Sequence, residues 1–175
     1  ALSIIRFRTT VRDPRNIVTS LSKFKSLTLE ESADFMIKGT GDGLVWTNNW
    51  AVNYHSWKIF KEYEKYLLIK YEDLIANPDL TFLNVLKFIY RINKSNFELD
   101  KKKFENVIKT TSFENMQNLE KEKGFSESWV DEKTGKKIPF FYLGPKNNWK
   151  KNLDVKVVKK LEKTFKLEME ELGYL

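Results

Sequence analysis

The sequence has no cysteine, which excludes a disulfide framework and a metal site built from thiolates. It has a single histidine, His55, which we interpret as a surface or packing residue. No apolar run is long enough to span a bilayer, and no basic-then-apolar segment indicates a secretory signal. From these absences we expect a cytoplasmic protein with no membrane partner.

The composition indicates one domain over residues 1–175, since 175 residues with 41% hydrophobic side chains can form a single core. The 31 basic side chains outnumber the 24 acidic ones, which gives a net charge of +7. This excess favours an anionic partner such as a nucleotide, a nucleic acid, an acidic polymer or a membrane surface. The alternative is a solvated surface with scattered lysines.

The segment Val11–Leu21 is interpreted as a strand end, a turn and the start of a helix. Asp13 suits the N-cap, and Pro14 suits the first helical position, where a missing N–H costs nothing. The apolar residues predicted to share the buried face of this helix are Ile17, Leu21 and Phe24.

Arg12 and Ser20 flank this helix start, and a guanidinium, a hydroxyl and a positive helix end together suit a phosphate. The alternative is that Arg12 pairs with Asp13 or another carboxylate and that Ser20 is ordinary helix surface. The pattern of residue types alone leaves both interpretations open.

Tyr66–Tyr71 is predicted to form a buried strand, separated by helices from the strand before Arg12. This order favours a parallel α/β sheet, in which Arg12 and Tyr71 both lie at carboxyl ends of strands, where ligands bind. Residues 1–10 are too polar for a buried parallel strand. They form either an edge strand or a remnant of another element, and we favour the remnant.

Further helices are predicted from their caps and apolar spacing. The expected starts are Thr28 with Glu31, Asn48 or Asn49, Pro78, Asp100, Ser112 and Asp154. The apolar residues expected to be buried are Phe82, Leu83, Leu86 and Ile89, then Phe104, Val107 and Ile108, then Val158, Leu161, Phe165, Met169 and Leu172. Residues 39–43 are glycine-rich, and we interpret them as a linker because no Lys-Ser/Thr follows.

The segment Arg12–Leu21 resembles the 3′-phosphate-binding segment of sulfotransferases that use 3′-phosphoadenosine 5′-phosphosulfate (PAPS). That resemblance implies that Arg12 and Ser20 hold the 3′-phosphate. Tyr71–Leu74 resembles a second segment of the family and implies that Tyr71 lies near the adenosine. Thr111–Met116 resembles the adenine-binding segment, with a polar base contact from Thr111 and an adenine wall from Phe113.

Phe140–Trp149 is similar in spacing to the nucleotide loop of the same family. The resemblance implies roles for Phe140 and for the backbone N–H of Gly144. The Tyr142–Leu143 pair stands where Arg and Lys are usual, so two phosphate-binding charges are missing and Lys146 is the expected replacement.

The resemblance implies an α/β fold, a parallel sheet flanked by helices that resembles nucleotide kinases. The chain would be the larger, C-terminal part of the domain, without the first strand and the phosphosulfate loop. The implied reaction transfers a sulfuryl group from PAPS to a hydroxyl or amine of a small molecule or glycan and releases adenosine 3′,5′-bisphosphate (PAP). No metal is expected, no residue stands out as the catalytic base, and the oligomeric state stays open.

Two other functions fit parts of the sequence. A nucleotide kinase of related fold needs a phosphate-binding Lys loop and a metal-holding Asp, for which Asp73 is the candidate. A basic nucleic-acid-binding module needs clustered surface aromatics, whereas most aromatics here fall on predicted buried faces. We therefore expect no nucleic-acid partner.

Overall fold

The computed structural model describes residues 7–39, 49–63, 66–126, 128–131 and 134–175. The chain forms two compact units. The first combines the stretch that ends at Arg12 with Tyr54–Asn115, and the second combines Asp13–Asn53 with Met116–Leu175.

The described part of the chain contains helices, strands and two short 3-10 turns. In order they are β1 (Phe7–Val11), α1 (Pro14–Lys25), α2 (Leu29–Lys38), α3 (Trp50–Lys58), a 3-10 turn (Ile59–Tyr63), β2 (Tyr66–Lys70), α4 (Tyr71–Ala76), α5 (Pro78–Ile92), α6 (Lys101–Thr110), α7 (Phe113–Lys123), β3 (Trp129–Val130), β4 (Lys137–Ile138), a 3-10 turn (Gly144–Lys146), α8 (Trp149–Asn152), α9 (Val155–Thr164) and α10 (Lys166–Glu171).

The first unit contains a parallel sheet of β1 and β2, in which Val11 pairs with Lys70. The predicted α/β fold with a parallel sheet and flanking helices is confirmed. Because paired parallel strands end at the same edge, the residues that follow them, Arg12 and Tyr71, are brought together. Tyr71 itself begins α4 instead of ending the strand.

Strand β1 corrects the interpretation of the first ten residues. Residues 7–11 form a strand and not the remnant that we favoured. Thr9 and Val11 are buried while Thr10 is exposed, which is the alternation of a strand with one covered face. Such a strand tolerates polar residues that a strand buried on both faces would exclude.

The core of the second unit is formed by α1, α2, α9 and the turn into α10. Its fully buried members are Val18, Ala33, Met36, Val157, Leu161, Phe165 and Met169. The ring of Trp50 lies 5.1 Å from that of Phe165, so Trp50 packs against this core.

Several predicted buried positions are shifted by one residue or more. In α1 the buried apolar side chain is Val18, and Phe24 is 38% exposed. In α5 Val85 and Phe88 are buried, whereas the four predicted residues are half-buried. In α6 none is buried, and Val107 is exposed. In α9 Val157 is buried in place of the predicted Val158.

Most predicted helix starts are confirmed. Asp13, Asn49, Asp100, Ser112 and Asp154 each accept a hydrogen bond from a first-turn N–H. Thr28 and Glu31 form the predicted capping box. The linker prediction covers residues 39–43, of which residues 40–43 lie outside the described residues, as does Asn48. None of the helices in the described part of the chain combines the length and hydropathy needed to cross a membrane.

Candidate functional site

In the first unit, Arg12 and Tyr71 lie at the carboxyl ends of the two strands, as predicted, and the structure shows that they contact each other. The guanidinium carbon of Arg12 lies 4.1 Å from the centroid of the Tyr71 ring. Burial raises the pKa of Tyr71, and the positive charge of Arg12 offsets part of that rise. The phenol is therefore neutral at physiological pH and can donate a hydrogen bond, while Arg12 supplies a fixed positive charge beside it.

Arg15, at the start of α1, was missed by the sequence analysis. Its guanidinium is ion-paired with Asp13 at 2.7 Å and with Glu162 of α9 at 2.6 Å, and it donates to the Tyr174 carbonyl at 2.7 Å. It also lies 4.1 Å from the Trp149 ring centroid. Burial alone lowers the pKa of Arg15, but its bonds to the two carboxylates outweigh this and raise the pKa above its usual value.

This network changes the predicted role of the helix end. The Asp13 carboxylate accepts the N–H of Arg15, and the Asp13 carbonyl accepts those of Asn16 and Ile17. The first N–H groups of α1 are thus bonded within the protein and are not open donors for a phosphate. The Asp-Pro-Arg triplet anchors the helix, and the binding of a phosphate by Arg12 and Ser20 stays a prediction.

Ser20, in the second unit, is exposed on α1 and contacts the loop before α8. Its Oγ accepts a hydrogen bond from Asn147 Nδ2 at 3.1 Å and lies 3.5 Å from the Asn16 carbonyl. Asn147 is 7% exposed, and its Nδ2 also donates to that carbonyl at 2.8 Å. A buried polar residue with contacts far along the chain is not visible as a spacing pattern, and the sequence analysis missed it.

Hydrogen bonds to the side chain of Glu120 in α7 fix the backbone around Phe140. The buried Glu120 carboxylate accepts the backbone N–H of Phe140 at 2.7 Å and of Phe141 at 2.9 Å. The Phe125 ring lies 5.0 Å from that of Phe140 and 5.4 Å from that of Phe141. Phe140 nevertheless stays 45% exposed, which leaves ring surface for a ligand to cover.

The remaining predicted site residues of the second unit lie in the 3-10 turn after this segment. Gly144 begins the turn with a φ of 48°, a left-handed conformation that favours glycine, and Lys146 is exposed. The structure shows a second cation nearby, since Lys23 Nζ lies 5.4 Å from the ring centroid of Tyr142.

Thr111 and Phe113 lie in the first unit, where α6 ends and α7 begins. Thr111 is exposed, and its Oγ1 donates to the Val107 carbonyl at 2.7 Å. Phe113 is half-buried at the first position of α7. His55 is exposed on α3, which confirms its interpretation as a surface residue. Among the described residues, no three His, Asp or Glu side chains are grouped as a metal site would require.

Comparison with known proteins identifies the family. The fold is α/β with an arginine and a tyrosine at the carboxyl ends of paired parallel strands. A family model described as the sulfotransferase domain matches residues 6–173. The chain therefore belongs to the sulfotransferase domain family, and the resemblance inferred from the sequence is confirmed.

A solved structure with the same fold is that of mouse sulfotransferase SULT7A1 complexed with PAP, with a TM-score of 0.64 and 16% sequence identity. The match covers 95% of this chain and 58% of that chain, so the present chain spans little more than half of the mouse protein's length. No curated protein matches the chain in a sequence search.

Proposed function

We propose that the protein transfers a sulfuryl group from PAPS to a hydroxyl or amine of a small-molecule or glycan acceptor. The observation that carries this proposal is the Arg12–Tyr71 pair, 4.1 Å apart at the ends of β1 and β2, in a chain that belongs to the sulfotransferase family. A charged guanidinium beside a neutral phenol suits a nucleotide with both a phosphate and a sugar.

The 3′-phosphate is the group that we assign to Arg12 and Ser20. Arg12 offers a delocalised cation with several N–H donors, and Ser20 offers an exposed hydroxyl. Lys146 and Lys23 add exposed positive charge to the second unit, and the backbone N–H of Gly144 is the further donor that the resemblance implies.

The adenosine is assigned to aromatic side chains. Tyr71 lies beside Arg12, the half-buried Phe113 forms the proposed wall for adenine, and Thr111 offers a hydroxyl to the base. Stacking of a base on an aromatic ring contributes about 1–3 kcal/mol. The exposed ring face of Phe140 is the second surface that we expect the nucleotide to cover.

The proposed reaction is an in-line displacement at sulfur. The acceptor oxygen or nitrogen forms a bond to sulfur and gives up its proton to a base, while the bond between sulfur and the phosphate oxygen breaks and PAP leaves with that electron pair. The residues described here bind the donor and stabilise the negative charge that develops on the leaving phosphate. None of them is assigned as the base.

A competition titration of the complete protein separates this function from the two alternatives. Binding of PAP, ATP and an RNA oligomer is measured under identical salt conditions. We expect PAP to bind most tightly. Preference for ATP would favour a nucleotide kinase, and tight RNA binding that PAP does not displace would favour a nucleic-acid-binding module.

His55 is not expected to act as the base. It is exposed on α3, and the resemblance places the family's base before the Arg12 segment. His55→Ala should leave turnover within about tenfold of the parent, below the 10²–10⁴-fold that a general base contributes. Turnover and PAP affinity are measured together. A folded variant that binds PAP normally and loses about a hundredfold or more in turnover would assign the base to His55.

Residues 121–148 are expected to become ordered over the bound nucleotide. This stretch is polar and basic. Ordering costs conformational entropy, which binding offsets. Apart from the N–H groups of Phe140 and Phe141, which already bond to Glu120, amide hydrogen exchange in this segment should therefore be fast in the free protein and slow at saturating PAP. Protection that is equal with and without PAP would exclude this segment as a nucleotide lid.

A further inference from the structure

Asn147 lies in the second unit at the junction of the 3-10 turn and α8, and its amide is surrounded by groups from α1. Nδ2 lies 2.8 Å from the Asn16 carbonyl and 3.1 Å from Ser20 Oγ, while Oδ1 lies 2.8 Å from Thr19 Oγ1. Since a carbonyl only accepts hydrogen bonds, the atom facing Asn16 must be the nitrogen. The Asn16 carbonyl thus sets the orientation of the whole amide.

The orientation of the Asn147 amide determines which hydrogen bonds the Ser20 hydroxyl accepts and donates. One N–H of Asn147 donates to Asn16, and the other donates to Ser20 Oγ, so the serine oxygen acts as an acceptor toward the protein. Within the described part of the chain, the carbonyl within reach of the serine's own proton is that of Asn16. The Ser20 hydroxyl donates to this carbonyl at 3.5 Å, the upper limit of a hydrogen bond, and the carbonyl also accepts from Asn147 at 2.8 Å. The proton of Ser20 is therefore only weakly bonded within the protein, at an exposed position where an anionic oxygen can accept it instead.

We infer that Asn147 is a positioning residue that prepares Ser20 to donate its hydroxyl proton to an anionic oxygen. This inference rests on the proposed function, in which that oxygen belongs to the 3′-phosphate of PAPS. Asn147 touches the serine and not the ligand. Its contribution is to occupy the acceptor side of the hydroxyl and to hold the loop against α1, where Trp149 N–H also donates to Asn16 Oδ1 at 2.9 Å.

The substitution Asn147→Ala removes the side chain that positions the Ser20 hydroxyl. Ser20 Oγ loses the N–H that it accepts, and the Asn16 carbonyl loses one donor but keeps Thr19 Oγ1 at 2.8 Å. The Ser20 hydroxyl is then no longer held in the orientation that presents its proton to the ligand. We expect the affinity of the complete protein for PAP to fall about tenfold, which is the usual loss for a hydrogen bond to a charged group. The affinity for AMP, which lacks the 3′-phosphate, should change less than about twofold.

The dependence on Ser20 separates positioning from a merely structural role. In a Ser20→Ala background, Asn147→Ala should have an effect on PAP affinity of less than about twofold, because the hydroxyl on which it acts is absent. Asn152→Ala is the matched control, since the exposed Asn152 Nδ2 donates to Asn147 Oδ1 at 3.4 Å and has no bond to Ser20 in the described part. It should leave PAP affinity unchanged.

A second variant keeps the test decisive where Asn147→Ala does not fold. Asn147→Asp is nearly isosteric, but its carboxylate accepts the Ser20 proton, so PAP should bind more weakly. Asn148→Asp places the same charge one residue away and retains the cap of α8, where Asn148 Oδ1 accepts the Lys150 N–H. PAP affinity should fall more in Asn147→Asp than in Asn148→Asp.

Different results would overturn the positioning role of Asn147 and the proposed function on which it rests. Equal losses of PAP and AMP affinity in Asn147→Ala, an undiminished effect in the Ser20→Ala background, or equal losses in the two aspartate variants would each overturn the positioning role. A parent protein that does not prefer PAP to AMP would overturn the proposed function itself. Selective, Ser20-dependent loss of PAP affinity supports both.

Discussion

Replacing Arg12 with alanine should weaken PAP binding about ten- to a hundredfold, equivalent to about 1.5–3 kcal/mol, and should leave AMP binding nearly unchanged. The guanidinium forms charge-assisted hydrogen bonds with the proposed 3′-phosphate, which AMP lacks. The Tyr71 ring, 4.1 Å away, holds that guanidinium in place. Isothermal titration calorimetry with both nucleotides gives the two affinities directly.

Arg91→Ala is the matched control for this substitution. Arg91 also lies over an aromatic ring of the first unit, 5.4 Å from the Phe88 centroid, but it is not in any predicted site segment. It should leave both affinities unchanged. If Arg12→Ala binds PAP as well as the parent does, or loses AMP to the same extent as PAP, Arg12 does not hold the 3′-phosphate.

Replacing Arg15 with alanine should destabilise the fold by about 3–5 kcal/mol, because it leaves the carboxylate of Asp13 buried without its partner. Asp13 is 5% exposed and Arg15 is 6% exposed, so water cannot replace the lost bonds without rearrangement. The change also removes the ion pair with Glu162 and the bond to the Tyr174 carbonyl. Urea unfolding of parent and variant measures the difference.

An ion pair at the surface provides the control for the Arg15→Ala unfolding experiment. Lys160 pairs with Glu30 at 2.5 Å and with Asp34 at 3.1 Å, but it lies at the surface, where salt and water screen the charges. Lys160→Met should leave the urea midpoint almost unchanged. Similar midpoint shifts in the Arg15 and Lys160 variants would contradict the anchoring role of Arg15.

The sequence predicted features that depend on neighbours along the chain. Asp13 and Asp154 were identified as caps because a cap and its helix are adjacent, and the parallel sheet followed from strands separated by helices. The placement of Arg12 and Tyr71 at strand ends was predicted for the same reason, since each directly follows its strand.

Features that depend on distant segments were not predicted. Arg15 meets Glu162 and Asn147 meets Ser20 across more than a hundred residues, and no local periodicity records such contacts. The phase errors in α1 and α9 have a related cause, because a run of apolar residues such as Val157 and Val158 leaves two possible faces and packing chooses between them.

The measurement that tests the central claim most directly is the ratio of PAP to AMP affinity for the complete, unmodified protein, determined by calorimetry at fixed salt concentration. The two ligands share adenosine and the 5′-phosphate, so the ratio reports the 3′-phosphate alone. We predict that PAP binds at least about tenfold more tightly. Equal affinities would contradict the assignment of a 3′-phosphate site and, with it, the use of PAPS.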